Sequence, residues 1–354
     1  MIPTAIRTTL LACLTLHTLN AADPDPIRQT HRVPMRDGTH LATDVWLPAA
    51  DQAYPVVLLR FPYNKDLAIG LGQDGTRQGY AVVAQDTRGR FASEGENLPF
   101  HRDVPDGKDT LAWIKQQTWC NGRIGTWGGS AGAITQFQMA IEGSNPLLAQ
   151  YLVVGAPNLY DVVYTGGVFR KALIEDWLKG TQFATNALDI WVSHPTYDAY
   201  WQARDASRHY PKINTPALHV GGYWDIFAQP TIDAFNGYQN HGGPNARGKQ
   251  KLLLGPWSHN VLQDKVGDLT FPNGKNPPGQ HSNQWRWFDR WLKDQAHEID
   301  TEPAVTYYVI GDTTNPNAPG NVWRTANVWP PLPATPKRYY LHHNHSLTTT
   351  PPAK

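Results

Sequence analysis

Short runs of consecutive apolar residues recur along the chain, separated by segments whose apolar residues have helical spacing. Strands buried on both faces of a parallel sheet have such runs, because helices cover both faces of the sheet. The predicted strands are Pro55–Phe61, Tyr80–Gln85, Arg123–Trp127, Leu147–Val154, Ala217–Gly221 and Lys251–Leu254. The predicted helices are Asp106–Gln117, Ala131–Glu142 and Trp285–Gln295. This alternation predicts an α/β fold with a mostly parallel sheet.

Two segments depart from this alternation. Ile27–Pro34 and Thr39–Leu47 alternate in polarity on either side of a turn at Arg36-Asp37-Gly38, which predicts a β-hairpin. Residues 157–210 contain no buried-strand run, but their aromatic rings are spaced as in short helices. We therefore expect a helical cap at 157–210, inserted between two parts of one α/β domain at 23–156 and 211–302.

The C-terminal segment has a different character. From Pro303 onward, strand-like runs such as Val305–Ile310 are punctuated by Pro and Asn. Residues 303–354 are predicted to be the beginning of a C-terminal β domain that is incomplete in this chain. The strands of that segment are then expected to lack partners and to expose their backbone edges.

The first 22 residues have the composition of a signal peptide. Arg7 is their one charged residue, Thr8–Leu19 is largely apolar, and Ala21-Ala22 offers small residues for cleavage. The apolar stretch is too short to span a bilayer. We expect residues 1–22 to be removed and the protein to be secreted or periplasmic, with no membrane span.

Charge and motif content exclude several classes of function. The chain has 31 Lys and Arg against 30 Asp and Glu, so it has no basic field for a nucleic-acid backbone. The segment Gly70–Gly75 matches G-x-G-x-x-G, but the preceding strand does not run directly into it, as a dinucleotide site requires. No zinc-type spacing of Cys and His occurs. We expect no cofactor and no metal.

A nucleophile motif follows the strand Arg123–Trp127. Gly128-Gly129-Ser130-Ala131-Gly132 fits G-x-S-x-G, and a predicted helix leaves it, which is the strand–turn–helix of a nucleophile elbow. We expect the glycines to be required because a Cβ atom would clash in such a tight turn. Ser130 is therefore the candidate nucleophile.

An orienting acid and a base are expected later in the chain, in that order. Asp225 follows the strand Ala217–Gly221, and His259 follows the strand Lys251–Leu254. Both lie just beyond the carboxyl end of a predicted strand, where an open α/β sheet gathers its functional groups. Ser130, Asp225 and His259 are thus predicted to form a catalytic triad.

Several segments resemble one known family. These are RDGTHLATDVWLP, RFPYNKD, GYAVVAQDTRGRFASEGE, DTLAWIKQQTWCNGRIGTWGGSAG, HVGGYWD and LLLGPWSH, which together span roughly residues 30–300. They resemble the cocaine-esterase-like (CocE/NonD) serine hydrolases, which include X-Pro dipeptidyl peptidases, α-amino-acid ester hydrolases and cephalosporin acylases. The resemblance implies an α/β-hydrolase fold with an inserted helical cap and the start of a jelly-roll-like C-terminal β domain.

The resemblance also implies roles for individual residues. Ser130 is the nucleophile, His259 the base and Asp225 its partner. Tyr63 donates its hydroxyl to the oxyanion beside the backbone amide of Ala131. This chain has Ala131 where the family commonly has Tyr directly after the nucleophile. Three further rings could line an acyl pocket: Phe227, Tyr164 and Trp177.

The sequence therefore predicts a serine hydrolase that cleaves a small-molecule ester or amide through an acyl-enzyme. An X-Pro dipeptidyl peptidase or a cephalosporin-acylase-type amidase is the alternative within this class. The 14 Trp and 15 Tyr residues suggest a different class, a non-catalytic carbohydrate-binding protein on a hydrolase scaffold. The sequence leaves the acyl group and the oligomeric state open.

Overall fold

The computed structural model describes residues 25–141, 143, 147–280, 282–296, 298–315, 317–333 and 335–353. The predicted signal peptide, residues 1–22, lies outside these ranges. The strands are β1 (Ile27–Pro34), β2 (His40–Leu47), β3 (Tyr54–Phe61), β4 (Ala81–Asp86), β5 (Cys120–Gly129), β6 (Leu147–Val153), β7 (Tyr164–Thr165), β8 (Val168–Phe169), β9 (Ala217–Gly222), β10 (Lys251–Gly255), β11 (Lys265–Val266), β12 (Leu269–Thr270), β13 (Val305–Val309), β14 (Val322–Ala326), β15 (Tyr340–Leu341) and β16 (Leu347–Thr348). The helices are α1 (Ile69–Arg77), α2 (Asp103–Lys115), α3 (Ala131–Ala140), α4 (Tyr160–Val163), α5 (Lys171–Gly180), α6 (Ala187–Val192), α7 (Ala199–Gln202), α8 (Ala228–His241) and α9 (Gln284–Leu292), with 3₁₀ turns at Lys65–Ala68, Ala206–Lys212, Pro278–Gln280 and Glu298–Asp300.

One ten-stranded sheet organises the molecule. Its strand order is β1-β2-β4-β3-β5-β6-β9-β10-β13-β14. The strands from β4 through β13 in that order pair in parallel, and the pairs at either end are antiparallel. The alternating runs predicted this mostly parallel sheet, and the resemblance predicted the α/β-hydrolase fold that its topology fits.

Helices cover both faces of the sheet, as the continuous apolar runs require. Along β3, Val57 and Leu59 pack in the cluster that contains Trp285 and Phe288 of α9. The alternate residues, Val56 and Leu58, pack in a second cluster with Leu111 and Ile114 of α2. Because successive side chains of a strand point to opposite faces, α9 and α2 lie on opposite sides of the sheet.

The segment from residue 303 onward adds strands to the main sheet. Val305–Val309 is β13, which pairs in parallel with β10 and in antiparallel with β14. The expectation that Val305–Ile310 lacks partners is therefore wrong. Val305 and Tyr308 are almost fully buried, because β13 lies inside the sheet between β10 and β14. This pairing joins segments that are distant in sequence, so the local sequence pattern does not predict it. After β14, the chain forms the short hairpin of β15 and β16.

Short helices α4 to α7 and the small hairpin of β7 and β8 occupy the region between β6 and β9. Arg90 ties this region to the sheet. Its guanidinium donates to the carbonyl of Pro62 at 3.0 Å and to the carbonyl of Gln182, just after α5, at 2.9 Å. It also donates to the carbonyl of Thr181. The helix α5 is thereby held against the loop that follows β3.

The G-x-G-x-x-G segment, Gly70–Gly75, lies within helix α1 rather than in a strand-to-helix turn. A Cβ atom at Gly72 would lie 2.5 Å from the ring of Trp46, and one at Gly75 would lie 2.4 Å from Val82. These glycines therefore allow α1 to pack closely on the sheet. Within the described residues, no helix is both long and apolar enough to cross a bilayer.

Candidate active site

Ser130 occupies a sharp turn between β5 and α3. Its backbone angles are φ 56° and ψ −122°, a conformation that a residue with a side chain rarely adopts. The turn presents the serine at the carboxyl end of β5, with 8% of its surface exposed. This is the geometry that the strand–turn–helix pattern predicted.

The two motif glycines do not contribute equally. A Cβ atom at Gly128 would lie 2.9 Å from the carbonyl oxygen of Gly132, which is closer than real Cβ contacts allow. A Cβ atom at Gly132 would meet Leu59 at 3.5 Å, an ordinary van der Waals contact. The expectation that any Cβ atom would clash at this turn is correct for Gly128 and wrong for Gly132.

Asp225 and His259 lie together, as predicted. The Nδ1 atom of His259 is 2.7 Å from Oδ1 of Asp225. The Asp225 side chain is fully buried, whereas 36% of the His259 side chain is exposed. A buried carboxylate on Nδ1 favours the tautomer that carries its proton there, which leaves Nε2 able to accept a proton.

Close backbone packing holds the loops that carry these two residues. The amide of Trp224 donates to the carbonyl of Trp257 at 2.9 Å, so the residue before Asp225 is bonded to the loop of His259. A Cβ atom at Gly222, the last residue of β9, would lie 2.4 Å from that same carbonyl oxygen. The Trp257 ring is fully buried, and its indole N–H donates to Gly274 at 2.9 Å.

The hydroxyl of Tyr63 has three hydrogen-bond partners beside the Ser130 turn. It is hydrogen-bonded with Ser130 and with the backbone amide of Ala131, and it accepts the indole N–H of Trp177 at 3.1 Å. The pKa of Tyr63 is raised because the phenol is desolvated, and these hydrogen bonds offset that effect in part. Tyr63 is therefore a neutral O–H donor at neutral pH.

Trp177 has contacts that the sequence did not predict. Besides its bond to Tyr63, its ring stacks on Phe100 at 5.7 Å and on Trp191 at 6.1 Å between ring centroids. These contacts hold the indole N–H toward the phenol oxygen. Trp177 is thus a positioning residue for Tyr63, whatever it also contributes to an acyl pocket.

The other two predicted pocket rings also have structural contacts. Tyr164 is 5% exposed, and its hydroxyl donates to the carbonyl of Trp191 at 3.2 Å, which places it in the interior of the cap. Phe227 is 5% exposed, and its ring centroid is 5.6 Å from that of His259. Burial makes Tyr164 part of the cap's packing, while Phe227 supports the imidazole. An acyl-pocket role for Phe227, Tyr164 and Trp177 stays a prediction.

A cavity of about 180 Å³ opens beside Ser130 and His259. Its walls include Val153 of β6, Val220 of β9 and Val261 from the loop after His259. None of the three predicted pocket rings lines this cavity. In the part of the chain that the structure describes, no group of His, Cys, Asp and Glu could hold a metal ion.

Sequence reasoning missed Arg90 and Trp257. Arg90 donates hydrogen bonds to backbone carbonyls, and the backbone carbonyl of Trp257 accepts one from the amide of Trp224. Because every residue has a backbone carbonyl, hydrogen bonds to carbonyls cannot be predicted from residue types. No sequence signal therefore indicated the roles of Arg90 and Trp257. Arg88 pairs with two carboxylates: it lies 2.7 Å from Asp106 and 3.0 Å from Asp37.

Comparison with known proteins gives three kinds of match. The family model described as X-Pro dipeptidyl-peptidase (S15 family) matches residues 37–189 and 181–261. Cocaine esterase from Rhodococcus sp. (strain MB1 Bresler) is 31% identical over 358 residues, covering 86% of this chain and 60% of that protein. This chain thus spans less than two thirds of that relative's length.

Two solved structures share the fold. A CocE/NonD family hydrolase from Staphylococcus aureus superposes with a TM-score of 0.74 at 22% identity, covering 92% of this chain and 60% of that one. An aminopeptidase from a marine sediment Thaumarchaeota archaeon superposes with a TM-score of 0.68 at 23% identity, covering 96% of this chain and 64% of that one.

Proposed function

This chain belongs to the X-Pro dipeptidyl-peptidase (S15) family and resembles its cocaine-esterase-like (CocE/NonD) members, and from that premise we propose that it is a serine hydrolase acting on carboxylic esters. One observation carries the proposal. Ser130, in a strained elbow, shares a cavity with His259, whose Nδ1 is bonded to the buried carboxylate of Asp225.

In the proposed reaction, Ser130 attacks the ester carbonyl while Nε2 of His259 takes the hydroxyl proton. The carbonyl oxygen becomes an oxyanion, which accepts hydrogen bonds from the Tyr63 hydroxyl and the Ala131 amide. The imidazolium of His259 then gives its proton to the leaving oxygen, and an acyl-enzyme remains. Water, activated by His259, releases the acid and restores Ser130.

Ester cleavage is favoured over removal of dipeptides from a peptide amino terminus. A dipeptidyl peptidase must hold the substrate's terminal ammonium group, and a buried ammonium needs a carboxylate partner. Asp225 is bonded to His259 at 2.7 Å, so its carboxylate is not free to hold that ammonium group. The residues after Asp225 are Ile226, Phe227 and Ala228, which carry no charge.

The aromatic residues do not favour a carbohydrate-binding protein. Such a protein stacks exposed rings on sugars, whereas many rings here are core residues. Among the largest fully buried side chains are Trp191, Trp201, Trp257 and Trp287. Trp224 is an exposed tryptophan, with 43% of its surface accessible, but its ring stacks on the protein's own Phe271.

Covalent labelling of Ser130 tests the proposal. A fluorescent alkylphosphonate should label the wild-type protein once, and peptide mapping should place the label on Ser130. The Ser130→Ala variant should show neither labelling nor ester hydrolysis. Its melting temperature should stay close to that of the wild type, because Gly128 rather than the hydroxyl shapes the turn. Turnover by purified Ser130→Ala, or labelling elsewhere, would refute the assignment.

A further inference from the structure

The reaction described above assigns no part of the substrate to the cavity beside Ser130 and His259. We propose that it receives the alcohol part of the ester, and that this alcohol is compact and uncharged. This inference rests on the proposed esterase function and names the substrate class for the same site.

The position of the cavity relative to the base indicates which half of the ester it holds. His259 and the residues after it, Asn260, Val261 and Leu262, form one wall. The leaving oxygen must lie against Nε2 of His259 to receive its proton, so the alcohol attached to that oxygen extends along the same wall. Tyr63 does not line the cavity, so the oxyanion donor lies on another side of Ser130.

The chemistry of the walls indicates an uncharged alcohol. Val153 and Val220 come from the sheet, and Val261 and Leu262 come from the loop. The polar lining residues near them, such as Gln263, are uncharged, and no Asp, Glu, Lys or Arg is present in the described lining. Placing a cationic or anionic alcohol here would strip its hydration without supplying a counter-charge.

The volume limits the size of the alcohol. A dry apolar cavity of about 150 Å³ can hold benzene. The cavity here is about 180 Å³, so an alkyl or benzyl group of about four to seven carbons would fill it. Sites for complete drug-sized ligands are roughly 300–1,000 Å³, so this cavity accommodates one arm of a substrate rather than the whole of it.

Two series of esters test the assignment. In the first, the acid is acetic acid and the alcohol grows from methyl to butyl, benzyl and naphthylmethyl. In the second, the alcohol is ethanol and the acid grows from acetic to hexanoic. The wild-type kcat/KM should rise along the alcohol series to butyl or benzyl acetate and fall at naphthylmethyl acetate. 3,3-Dimethylbutyl acetate should exceed its cationic isostere acetylcholine at least tenfold.

A substitution in the cavity tests whether the residues of its walls determine the preference for the alcohol group. Val261→Phe should lower the ratio of kcat/KM for benzyl acetate to that for methyl acetate at least tenfold, and leave the ranking of the acid series unchanged. Val192→Phe is the matched control, because Val192 is 47% exposed on α6 of the cap, and it should leave both rankings as in the wild type. Val261→Ala should shift the alcohol optimum toward larger groups if Val261→Phe does not fold.

The outcomes distinguish this inference from the proposed function. A change in the acid series instead of the alcohol series, no change in either, or equal rates for acetylcholine and its neutral isostere would overturn the inference while leaving an active esterase. A wild-type protein that neither reacts with the phosphonate nor hydrolyses any ester would overturn the proposed function, and this inference with it.

Discussion

The hydroxyl of Tyr63 is hydrogen-bonded with Ser130, the Ala131 amide and the Trp177 indole, so its contribution to catalysis can be isolated by removing one atom. Tyr63→Phe keeps the ring. If the hydroxyl binds the oxyanion as charge develops, its loss should lower kcat by about 10²–10³-fold, with KM changed little. The free energy of unfolding should fall by about 1–3 kcal/mol, because the Trp177 N–H loses its acceptor. Steady-state kinetics and urea unfolding measure both, and a kcat within a few-fold of the wild type would mean that another group is the oxyanion donor.

Trp177 should act through Tyr63. Trp177→Phe keeps a ring that can stack on Phe100 and Trp191 but removes the N–H that holds the phenol oxygen. Loss of one hydrogen bond of about 1 kcal/mol should lower kcat roughly fivefold.

A double-mutant cycle separates this role from simple packing. In the Tyr63→Phe background, Trp177→Phe should have no further effect on kcat, because the hydroxyl that it orients is already absent. Equal effects in both backgrounds would show that Trp177 does not act through Tyr63.

The ends of β9 and β10 fix the distance between the acid and the base. Gly222→Ala would place a Cβ atom 2.4 Å from the carbonyl oxygen of Trp257, so the loop of Asp225 or that of His259 must move. A displacement of about 1 Å in a catalytic group can cost on the order of 10²-fold in rate. We expect kcat to fall by about that factor while the Ser130 elbow remains intact.

The control for this prediction is the same substitution in open space. A Cβ atom at Gly180, the last residue of α5, meets no atom within 4 Å. Gly180→Ala should leave kcat unchanged. If Gly222→Ala is as active as Gly180→Ala, the strand-end packing does not position the triad.

Local sequence patterns predicted most of the elements of the sheet, because a strand buried on both faces must be apolar throughout. Helix α8 was not predicted, since Pro230 and Gly237 interrupt the pattern. Pro230 lies in the first turn, where its missing N–H costs nothing, and the buried residues Thr231, Ala234 and Tyr238 keep helical spacing. The place of β13 in the sheet was predicted wrongly, because pairing with β10 is a non-local property.

The candidate site was also predicted only in part from the sequence. Ser130, Asp225 and His259 were chosen from the order of motif and strands, and each lies within four residues of a strand end. The surroundings of the site did not follow from it. The burial of Tyr164 and its bond to the Trp191 carbonyl depend on tertiary packing, and the cavity near Val220 is built from strands and loops that are distant in sequence.

Buried carboxylates couple the stability of the whole molecule to pH. Asp86, at the end of β4, is fully buried, and desolvation raises its pKa to about 6. Its carboxylate is hydrogen-bonded by the backbone amide of Lys65, which lies 2.6 Å from Oδ1, and by the backbone of Ala92. The Lys65 ammonium lies 2.8 Å from Asp44 instead, so it does not neutralise Asp86 directly.

The sign of this effect follows from the raised pKa. At a pH below the unfolded value of about 4, Asp86 is neutral in both states, and burial costs little. Between about pH 4 and 6 the unfolded chain loses the proton that the folded protein keeps, so stability falls as pH rises. Above about pH 6 the folded protein holds a buried, partly unpaired charge. Asp86→Asn removes that charge with almost no change in shape.

We therefore expect the stability difference between Asp86→Asn and the wild type to depend on pH. Relative to the wild type, the variant should gain on the order of 2–3 kcal/mol of unfolding free energy between pH 4 and pH 7.5, the scale of a shift of about two pKa units. Urea unfolding of both proteins at several pH values measures this difference in unfolding free energy. Other carboxylates, several of which stabilise the protein as pH rises, contribute equally to both proteins, so their contributions cancel in the difference. Phosphonate labelling of Ser130 in the variant serves as the control that the site is intact. A difference that stays constant over this range, or that favours the wild type as pH rises, would mean that Asp86 is not held as a destabilised charge.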